Sequence, residues 1–415
     1  MGVCSRAARS VGWAVLALLL LALARESALR AVDLPVYHRV AREMIAGDHT
    51  IYPPEAYGGG AMPSHGFRYA PVIAFLMMPI GWLPLEAAAL MLYGVKLLAA
   101  GYVGSVVARR ALMPQGTRGY LIAAFLLVGG YVAEEFRYGN VHFLTVALMV
   151  FAFDTAESGR TVAPAIALGV AVATKVTPLA LLGYFAVRRR VAVCLATVAV
   201  LAVLALLPSV WLGLETNTRL LRAFSTYALQ KVDEQDNYAL RGALVKHLTA
   251  TYAGDRSHLP ASIADLSPSV VTALWLLGVA VLGLAALAAV VPESRDPVVR
   301  LLELSIVLTG MVLAAPHTQR RYFVSLFVPA TVLLAVLVTR RGDRGTAVAG
   351  WVGLAALAAS GTILPLVFGG RRLALLYEAA SPYFFGTLAL FGALVVVTVR
   401  VKRAAAVQPL AADNA

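Results

Sequence analysis

The sequence has few charged residues and only two cysteines. Charged side chains make up 14% of its 415 residues, hydrophobic ones make up 60%, and the mean hydropathy is +0.79. This composition excludes an ordinary soluble globular protein and indicates a polytopic membrane protein. Cys4 and Cys194 are far apart and lie in or beside predicted cytoplasmic ends. Neither a disulfide framework nor a cysteine-based metal site is therefore predicted.

The chain also lacks a polar stretch long enough for a soluble domain of normal size. Apolar runs recur over almost its whole length, which predicts one all-α integral membrane domain over 1–415. Residues 1–30 have a basic start and an apolar core like those of a signal peptide. Because many further spans follow, and residues 25–30 interrupt any small-residue cleavage pattern, we expect this segment to be retained as the first helix.

The formal net charge of +13 is placed mostly in short loops, where it orients a protein in the bilayer, so no nucleic-acid partner is predicted. Spans of about 20 apolar residues, or fewer with snorkelling flanks, give twelve predicted helices with both termini in the cytoplasm. They lie near 11–31, 86–108, 119–133, 141–156, 162–174, 178–187, 191–211, 270–291, 300–315, 322–339, 346–367 and 381–400. A break within one longer helix at "VATKVTP" is the alternative, and it would flip the later loops.

This topology places 404–415 in the cytoplasm as a tail and leaves six segments outside. They are 32–85, 134–140, 174–178, 212–269, 316–321 and 368–380. In the first, Val36, Val40 and Met44 share one helical face, which is typical of a helix in the membrane interface. "FRYAPVIAFLMMPIGWLP" is broken by prolines and predicts a re-entrant or surface-lying hairpin. The long 212–269 loop, with an amphipathic helix, is suited to closing over a site.

Asp33 and Lys175 are charged residues whose predicted surroundings disfavour a charge. Asp33 follows the first span, and a carboxylate at a helix C-terminus meets the negative end of the helix dipole. This mismatch favours a functional role over a carboxylate solvated by headgroup water. Lys175 interrupts an apolar stretch before Pro178, and lysines in membrane segments usually face a cavity or a partner. Snorkelling to the outer interface is the alternative.

Three basic residues on the predicted outer side, His317, Arg320 and Arg321, run against the positive-inside trend, as do Arg371 and Arg372. Arginine forks pair well with phosphate oxygens, so these residues suggest an anionic lipid headgroup. Ordinary contacts with surface headgroups are the alternative. No His, Asp or Glu grouping in the sequence has convincing metal spacing, so no metal and no other cofactor is predicted.

Several motifs, taken in order, resemble those of glycosyltransferase family 87. "DLPVYHRVAREMIAGDHTIY" and "FRYAPVIAFLMMPIGWLP" resemble its first-loop signature, "YGNVHFLTVAL" its Gly-Gln/Asn hairpin and "ATKVTPLAL" its Lys-x-x-Pro. "DNYALRGALVKHL" resembles its Asn-x-Ser-x-x-Gly loop, and "APHTQRRYFVSLFVPA" its late histidine region. Tyr238 stands in place of the family's serine, Tyr322 lies near the position of its late histidine, and Leu34 replaces an aromatic residue. Each motif is loose, and their order carries the resemblance.

The resemblance implies a GT-C type bundle of about twelve transmembrane helices with extracytoplasmic interfacial helices. It implies transfer of a hexose, typically mannose, from a polyprenyl-phosphate-linked donor to a lipid or glycan acceptor, with inversion and without a nucleotide sugar. Membrane lipids are the other expected partners. Asp33 matches the family's proposed general base. The cations available for the donor phosphate are Lys175, His317, Arg320 and Arg321, and the expected substrate contacts are Tyr37, Tyr52, His65, Tyr69, Asn140 and Asn237.

The alternative hypothesis is a polytopic lipid or sugar transporter, or a flippase. Such a protein places charged residues in the bilayer interior along a pathway. In this sequence the informative charges gather at one predicted face, and no internal repeat is evident. A structural membrane scaffold is a third possibility, which the polar and organised Asp33 loop makes less attractive. The sequence thus favours chemistry at the membrane surface.

Overall fold

The structure is a computed structural model of the chain. It describes residues 18, 21–47, 50–58, 66–111, 118–229, 237–250, 261–339, 343–363, 375 and 377–412. The predictions made for Cys4, His65, Arg371 and Arg372 fall outside these residues.

Helices provide all the regular secondary structure of the described residues, which confirms the predicted all-α fold class. In chain order they are α1 (21–30), α2 (Leu34–Ala46), α3 (Glu55–Gly58), α4 (Pro71–Leu76), α5 (Met78–Gly81), α6 (Leu85–Arg110), α7 (Arg118–Leu127), α8 (Gly129–Tyr138), α9 (His142–Glu157), α10 (Val162–Thr174), α11 (Leu179–Val187), α12 (Val191–Leu206), α13 (Ser209–Leu212), α14 (Leu214–Leu229), α15 (Leu240–Leu248), α16 (Pro268–Val290), α17 (Pro297–Ala314), a 3₁₀ helix (Arg320–Leu326), α18 (Phe327–Thr339), α19 (Arg344–Ala358), a π-helical turn (Ala359–Ile363) and α20 (Pro382–Ala412).

Six helical stretches in the described part of the chain are long and apolar enough to cross a membrane, and one bent pair of helices raises the number to seven. The six are Leu85–Arg110, Val191–Leu212, Pro268–Val290, Pro297–Ala314, Arg320–Thr339 and Pro382–Ala405. Exposed leucines and valines cover α16, as expected of a helix that faces lipid. Shorter predicted spans such as α10 fall below this length, so the count of twelve stays a prediction.

Three predicted boundaries differ from the structure. The helix predicted over 119–133 is broken at Val128, between α7 and α8, directly before the pair Gly129 and Gly130. Glycine weakens a helix, and a Cβ on Gly130 would lie 2.5 Å from the Gly361 carbonyl oxygen, so a larger residue does not fit there. The predicted 212–269 loop contains helix α14, which buries Leu220 and Ala223. The predicted 404–415 tail continues α20 as far as Ala412.

The chain groups into two compact units. The first comprises Met1–Ala100, Ala133–Leu144 and Ala205–Gln230, and the second comprises Gly101–Val132, Thr145–Leu204 and Lys231–Ala415. The single integral membrane domain over 1–415 is predicted from the apolar runs that recur along the chain. It stays a prediction.

In the first unit, helix α2 has one buried face and one exposed face. Val40 and Met44 are fully buried, as the sequence pattern predicts, whereas Val36 is only half-buried. The helix packs against α4 and α5. It ends at Gly47 in the left-handed conformation (φ +74°), and the Trp211 indole N–H donates a hydrogen bond of 3.1 Å to the Met44 carbonyl. The α2 helix is therefore fixed at its last turn.

In the second unit, three cations surround one buried carboxylate, Glu303 of α17. Lys402 Nζ lies 2.7 Å from Glu303 Oε1, Arg188 contacts the same oxygen, and Arg300 Nη1 lies 3.7 Å from Oε2. The Tyr184 hydroxyl donates a hydrogen bond of 3.2 Å to Oε2. The Glu303 side chain is fully inaccessible to solvent. This cluster joins helices α11, α17 and α20 through charge rather than through apolar packing alone.

Glu303→Gln is expected to lower the free energy of unfolding by about 3–5 kcal/mol, because buried cations lose their counter-charge. The measurement is the thermal unfolding midpoint of the purified protein in detergent. Glu293→Gln is the matched control, since the Glu293 side chain is 80% exposed and lies 4.0 Å from Arg300. Equal midpoints for the two variants would show that the cluster contributes nothing to stability.

Candidate active site

Asp33 lies directly before α2 and is oriented by the turn between α8 and α9. The Asn140 side-chain amide donates a hydrogen bond of 2.7 Å to Asp33 Oδ2, and the Asp33 main-chain N–H donates one of 2.9 Å to the Tyr138 carbonyl. Asp33 is half-buried, and its side chain makes no capping bond to α2. The carboxylate is therefore held towards Asn140 and keeps partial access to its surroundings.

The dipoles of two helices act on Asp33, not the dipole of one. The sequence predicts an unfavourable dipole from the helix that precedes Asp33, whose C-terminus disfavours a carboxylate. In the structure Asp33 is also the residue before the N-terminus of α2, where the helix dipole favours negative charge. The dipole mismatch is thus offset, and the case for function rests instead on the hydrogen bond from Asn140.

Residues 139–141 form the sharp turn that carries Asn140 to Asp33. The axes of α8 and α9 differ in direction by 114° across this turn. Gly139 has φ +66°, and a Cβ there would lie 2.9 Å from Leu34 Cβ, so only glycine fits. Asn140 Oδ1 accepts the His142 N–H at 2.9 Å, which orders the start of α9. The Gly-Asn motif therefore has two physical uses: close approach and a directed side-chain amide.

Tyrosines of the first loop extend this network. The Tyr37 and Tyr69 hydroxyls share a hydrogen bond of 2.8 Å, Asn140 Nδ2 lies 3.3 Å from the Tyr37 hydroxyl, and the Tyr52 hydroxyl donates one of 2.7 Å to the Tyr69 carbonyl. Burial, and then the Tyr57 phenol, raise the pKa of Tyr52 well above its usual value, so its hydroxyl stays protonated. All three rings are buried. They order the loop around Asp33, and their contact with a sugar stays a prediction.

In the second unit, the predicted phosphate-binding cations lie against aromatic rings. Lys175 follows the last residue of α10 in an extended conformation, so the helix ends where the lysine interrupts the apolar stretch. Its ammonium and the Arg321 guanidinium both lie against the Tyr322 ring. Arg320 lies 5.5 Å from the centre of the Tyr383 ring. His317 is half-buried in the segment before the 3₁₀ helix. The structure thus brings Lys175 and Arg321 together on one ring.

Asn237, predicted as a substrate contact, is buried and makes internal hydrogen bonds. Its Nδ2 donates to the Pro316 carbonyl at 2.8 Å, and its Oδ1 accepts the main-chain N–H groups of Ala239 and Thr318, each at 3.1 Å. A Cβ on Gly242 would lie 2.0 Å from the Asn237 carbonyl oxygen. The Asn-x-x-x-x-Gly spacing therefore fastens the start of α15 to the segment before the 3₁₀ helix. A contact between Asn237 and substrate stays a prediction.

Two buried residues that lie next to the 139–141 turn are not predicted from the sequence as part of the site. Lys96 of α6 and Glu135 of α8 have side chains that are 1% and 0% exposed, and they form an ion pair of 3.5 Å. The signal was available for Lys96, since a lysine within an apolar run is unusual, as it is for Lys175.

Metal binding finds no support in the part of the chain that the structure describes. No three His, Cys, Asp or Glu side chains there are grouped closely enough to hold a metal ion. The prediction of no metal stays a prediction.

Comparisons with known proteins give a family match and a similarity to a solved structure. The sequence model of Glycosyltransferase family 87 matches residues 67–316, which is more than half of the chain. Asp33 precedes this segment, and Arg320 and Arg321 follow it. The crystal structure of ArnT from Cupriavidus metallidurans in the apo state is similar with a TM-score of 0.46 and 17% sequence identity, over 94% of this chain and 78% of that chain. No curated protein matches the chain significantly.

Proposed function

Because this chain belongs to glycosyltransferase family 87 and is a multi-pass membrane glycosyltransferase, we propose which donor it uses and how its site works. The donor is a polyprenyl-phosphate-linked hexose, with mannose as the first candidate. The acceptor is a hydroxyl group of a lipid or glycan. Transfer takes place on the extracytoplasmic face of the membrane and inverts the anomeric centre.

The single observation that carries this proposal is the Asp33 carboxylate held by Asn140. A general base needs a carboxylate in a fixed direction with access to the acceptor hydroxyl. The Asn140 amide fixes the direction of the Asp33 carboxylate through a hydrogen bond of 2.7 Å. Because Asp33 is only half-buried, an acceptor hydroxyl can reach the carboxylate. The predicted topology places this loop outside the cytoplasm, where a lipid-borne sugar at the membrane surface is in reach.

In the proposed reaction the acceptor oxygen attacks the anomeric carbon from the side opposite the carrier phosphate. A bond forms between that oxygen and the anomeric carbon, while the bond from the anomeric carbon to the phosphate oxygen breaks. The hydroxyl proton moves to the Asp33 carboxylate, and the electron pair leaves with the phosphate. One displacement of this kind inverts the configuration of the sugar. General base catalysis contributes about 10²- to 10⁴-fold to such a step.

The leaving phosphate gathers negative charge and requires cations. Lys175 and Arg321, which share the Tyr322 ring, are the pair we assign to it. Arg320 is a further candidate, because a guanidinium fork matches phosphate oxygens. His317 is assigned on the sequence resemblance alone.

The test of this function is a donor comparison with purified protein. One reaction contains radiolabelled polyprenyl-phosphate-mannose and a total membrane-lipid extract as acceptor, a second contains the corresponding polyprenyl-phosphate-glucose, and a third contains a nucleotide-linked mannose. We expect labelled product from a polyprenyl-phosphate donor only, with the opposite anomeric configuration by NMR. Transfer from the nucleotide donor alone, retention of configuration, or movement of unmodified donor lipid without transfer would contradict the proposal.

A further inference from the structure

Lys96 and Glu135 form a buried ion pair that no step of the proposed reaction uses. Lys96 Nζ lies 3.5 Å from Glu135 Oε1 and donates a hydrogen bond of 2.9 Å to the Glu135 main-chain carbonyl. Removing a charge from water costs several kcal/mol, and the attraction within a buried pair often only offsets that cost. Stability alone is therefore a weak reason for this pair.

Glu135 binds the turn that carries Asn140 and also the start of α9 that follows it. Its main-chain carbonyl accepts the Asn140 N–H at 3.4 Å, and its Oε1 accepts the Phe143 N–H at 3.0 Å. The two Glu135 acceptors that bind the turn are the same two that Lys96 contacts. Lys96 thus fixes Glu135, and Glu135 fixes the turn.

The turn fixes Asp33 through hydrogen bonds to its side chain and to its main chain. The Asn140 side chain binds the Asp33 carboxylate at 2.7 Å, while the Tyr138 carbonyl accepts the N–H groups of Val32 and Asp33 at 3.1 and 2.9 Å. Lys96 also interacts electrostatically with Asp33. A continuous series of contacts therefore runs from Lys96 to Asp33.

We propose that Lys96 and Glu135 are positioning residues for Asp33, acting through the 139–141 turn, the start of α9 and the Asn140 amide. The proposal rests on the proposed function, in which Asp33 is the general base. A displacement of about 1 Å in a catalytic group is enough to cost about 100-fold in rate. Loss of the Glu135 contacts is therefore expected to lower kcat and to leave donor binding unchanged.

Two double variants test this without leaving a buried charge unpaired. Lys96→Met with Glu135→Gln removes both charges but keeps an oxygen that accepts the Phe143 N–H. Lys96→Met with Glu135→Leu removes that acceptor as well. A pair that serves charge balance alone predicts equal activity for the two, because apolar replacement of a buried ion pair is often neutral for stability. Positioning predicts a graded loss, with kcat lowest for the leucine variant.

The measurements are kcat and the apparent KM for polyprenyl-phosphate-mannose, together with hydrogen–deuterium exchange of the full-length protein in detergent. We expect the leucine variant to lose about 10- to 100-fold in kcat, with an unchanged KM, and to exchange faster at 32–37 and 139–143. The matched control is Asp154→Asn, a carboxylate-to-amide change at the far end of α9 that weakens the ion pairs to Arg109 and Arg110. It should leave kcat and exchange in both segments unchanged.

Failure of this inference differs from failure of the proposed function. If Asp33→Asn is inactive while both double variants keep the native kcat and exchange rates, positioning is refuted and the base assignment stands. If Asp33→Asn is fully active, the base assignment itself is refuted. A higher KM at unchanged kcat, or unchanged exchange at 32–37 in the leucine variant, also overturns the inference, and the exchange result requires no turnover.

Discussion

Asp33→Asn is expected to lower kcat for sugar transfer by about 10²- to 10⁴-fold, the range that a general base contributes. An amide at this position still accepts the hydrogen bond from Asn140, but it does not take the proton of the acceptor hydroxyl. The Asp33 side chain makes no capping bond to α2, so the variant should fold normally. The measurement is single-turnover transfer of radiolabelled sugar from polyprenyl-phosphate-mannose, with the unfolding midpoint measured on the same sample.

Glu215→Gln is the matched control for that experiment. Glu215 is an exposed acidic residue of α14, and we expect its amide variant to keep the native rate. Native product formation by Asp33→Asn, at a native unfolding midpoint, would remove Asp33 from the reaction.

Gly139→Ala is expected to lower kcat by about 100-fold, because it moves the turn that orients Asp33. A side chain at φ +66° is strained, and its Cβ would lie 2.9 Å from Leu34 Cβ, next to Asp33. Either the turn or the start of α2 must shift, and the bond from Asn140 to Asp33 is then misaligned. The same transfer assay measures the effect.

Gly159→Ala separates this geometric effect from backbone strain. Gly159 also has positive φ, at +82°, but a Cβ there would meet nothing within 4 Å. Both variants carry about 1–2 kcal/mol of left-handed strain, so both should unfold at a lower temperature, whereas only Gly139→Ala should lose transfer activity. Equal activity of the two variants would show that the close approach at Gly139 does not matter for the reaction.

Local patterns in the sequence predicted a large part of the fold. Hydropathy predicted the all-α membrane class, helical periodicity predicted the buried positions Val40 and Met44, and the Lys175 to Pro178 break follows from the chemistry of proline. Helix α14 was missed because polar residues dominate its segment, while its buried positions Leu220 and Ala223 depend on tertiary packing.

The partners within the candidate site were harder to predict, because they are distant along the chain. Asp33 and Asn140 are 107 positions apart, and Lys96 and Glu135 are 39 apart. All four residues are polar or charged, but no periodicity relates the two members of either pair. The favourable helix dipole at Asp33 could not be predicted for a related reason: it depends on where the next helix begins, at Leu34.

The most direct measurement of the central idea, a carboxylate acting outside the cytoplasm, is cysteine labelling at the neighbouring position. Val32→Cys, in a chain with Cys4→Ser and Cys194→Ser, places a thiol at a residue that is 48% exposed, and Arg403→Cys places one at the predicted cytoplasmic side. A membrane-impermeant maleimide added to intact cells should label position 32 at once and position 403 only after permeabilisation. Labelling of position 32 only after permeabilisation would contradict the account.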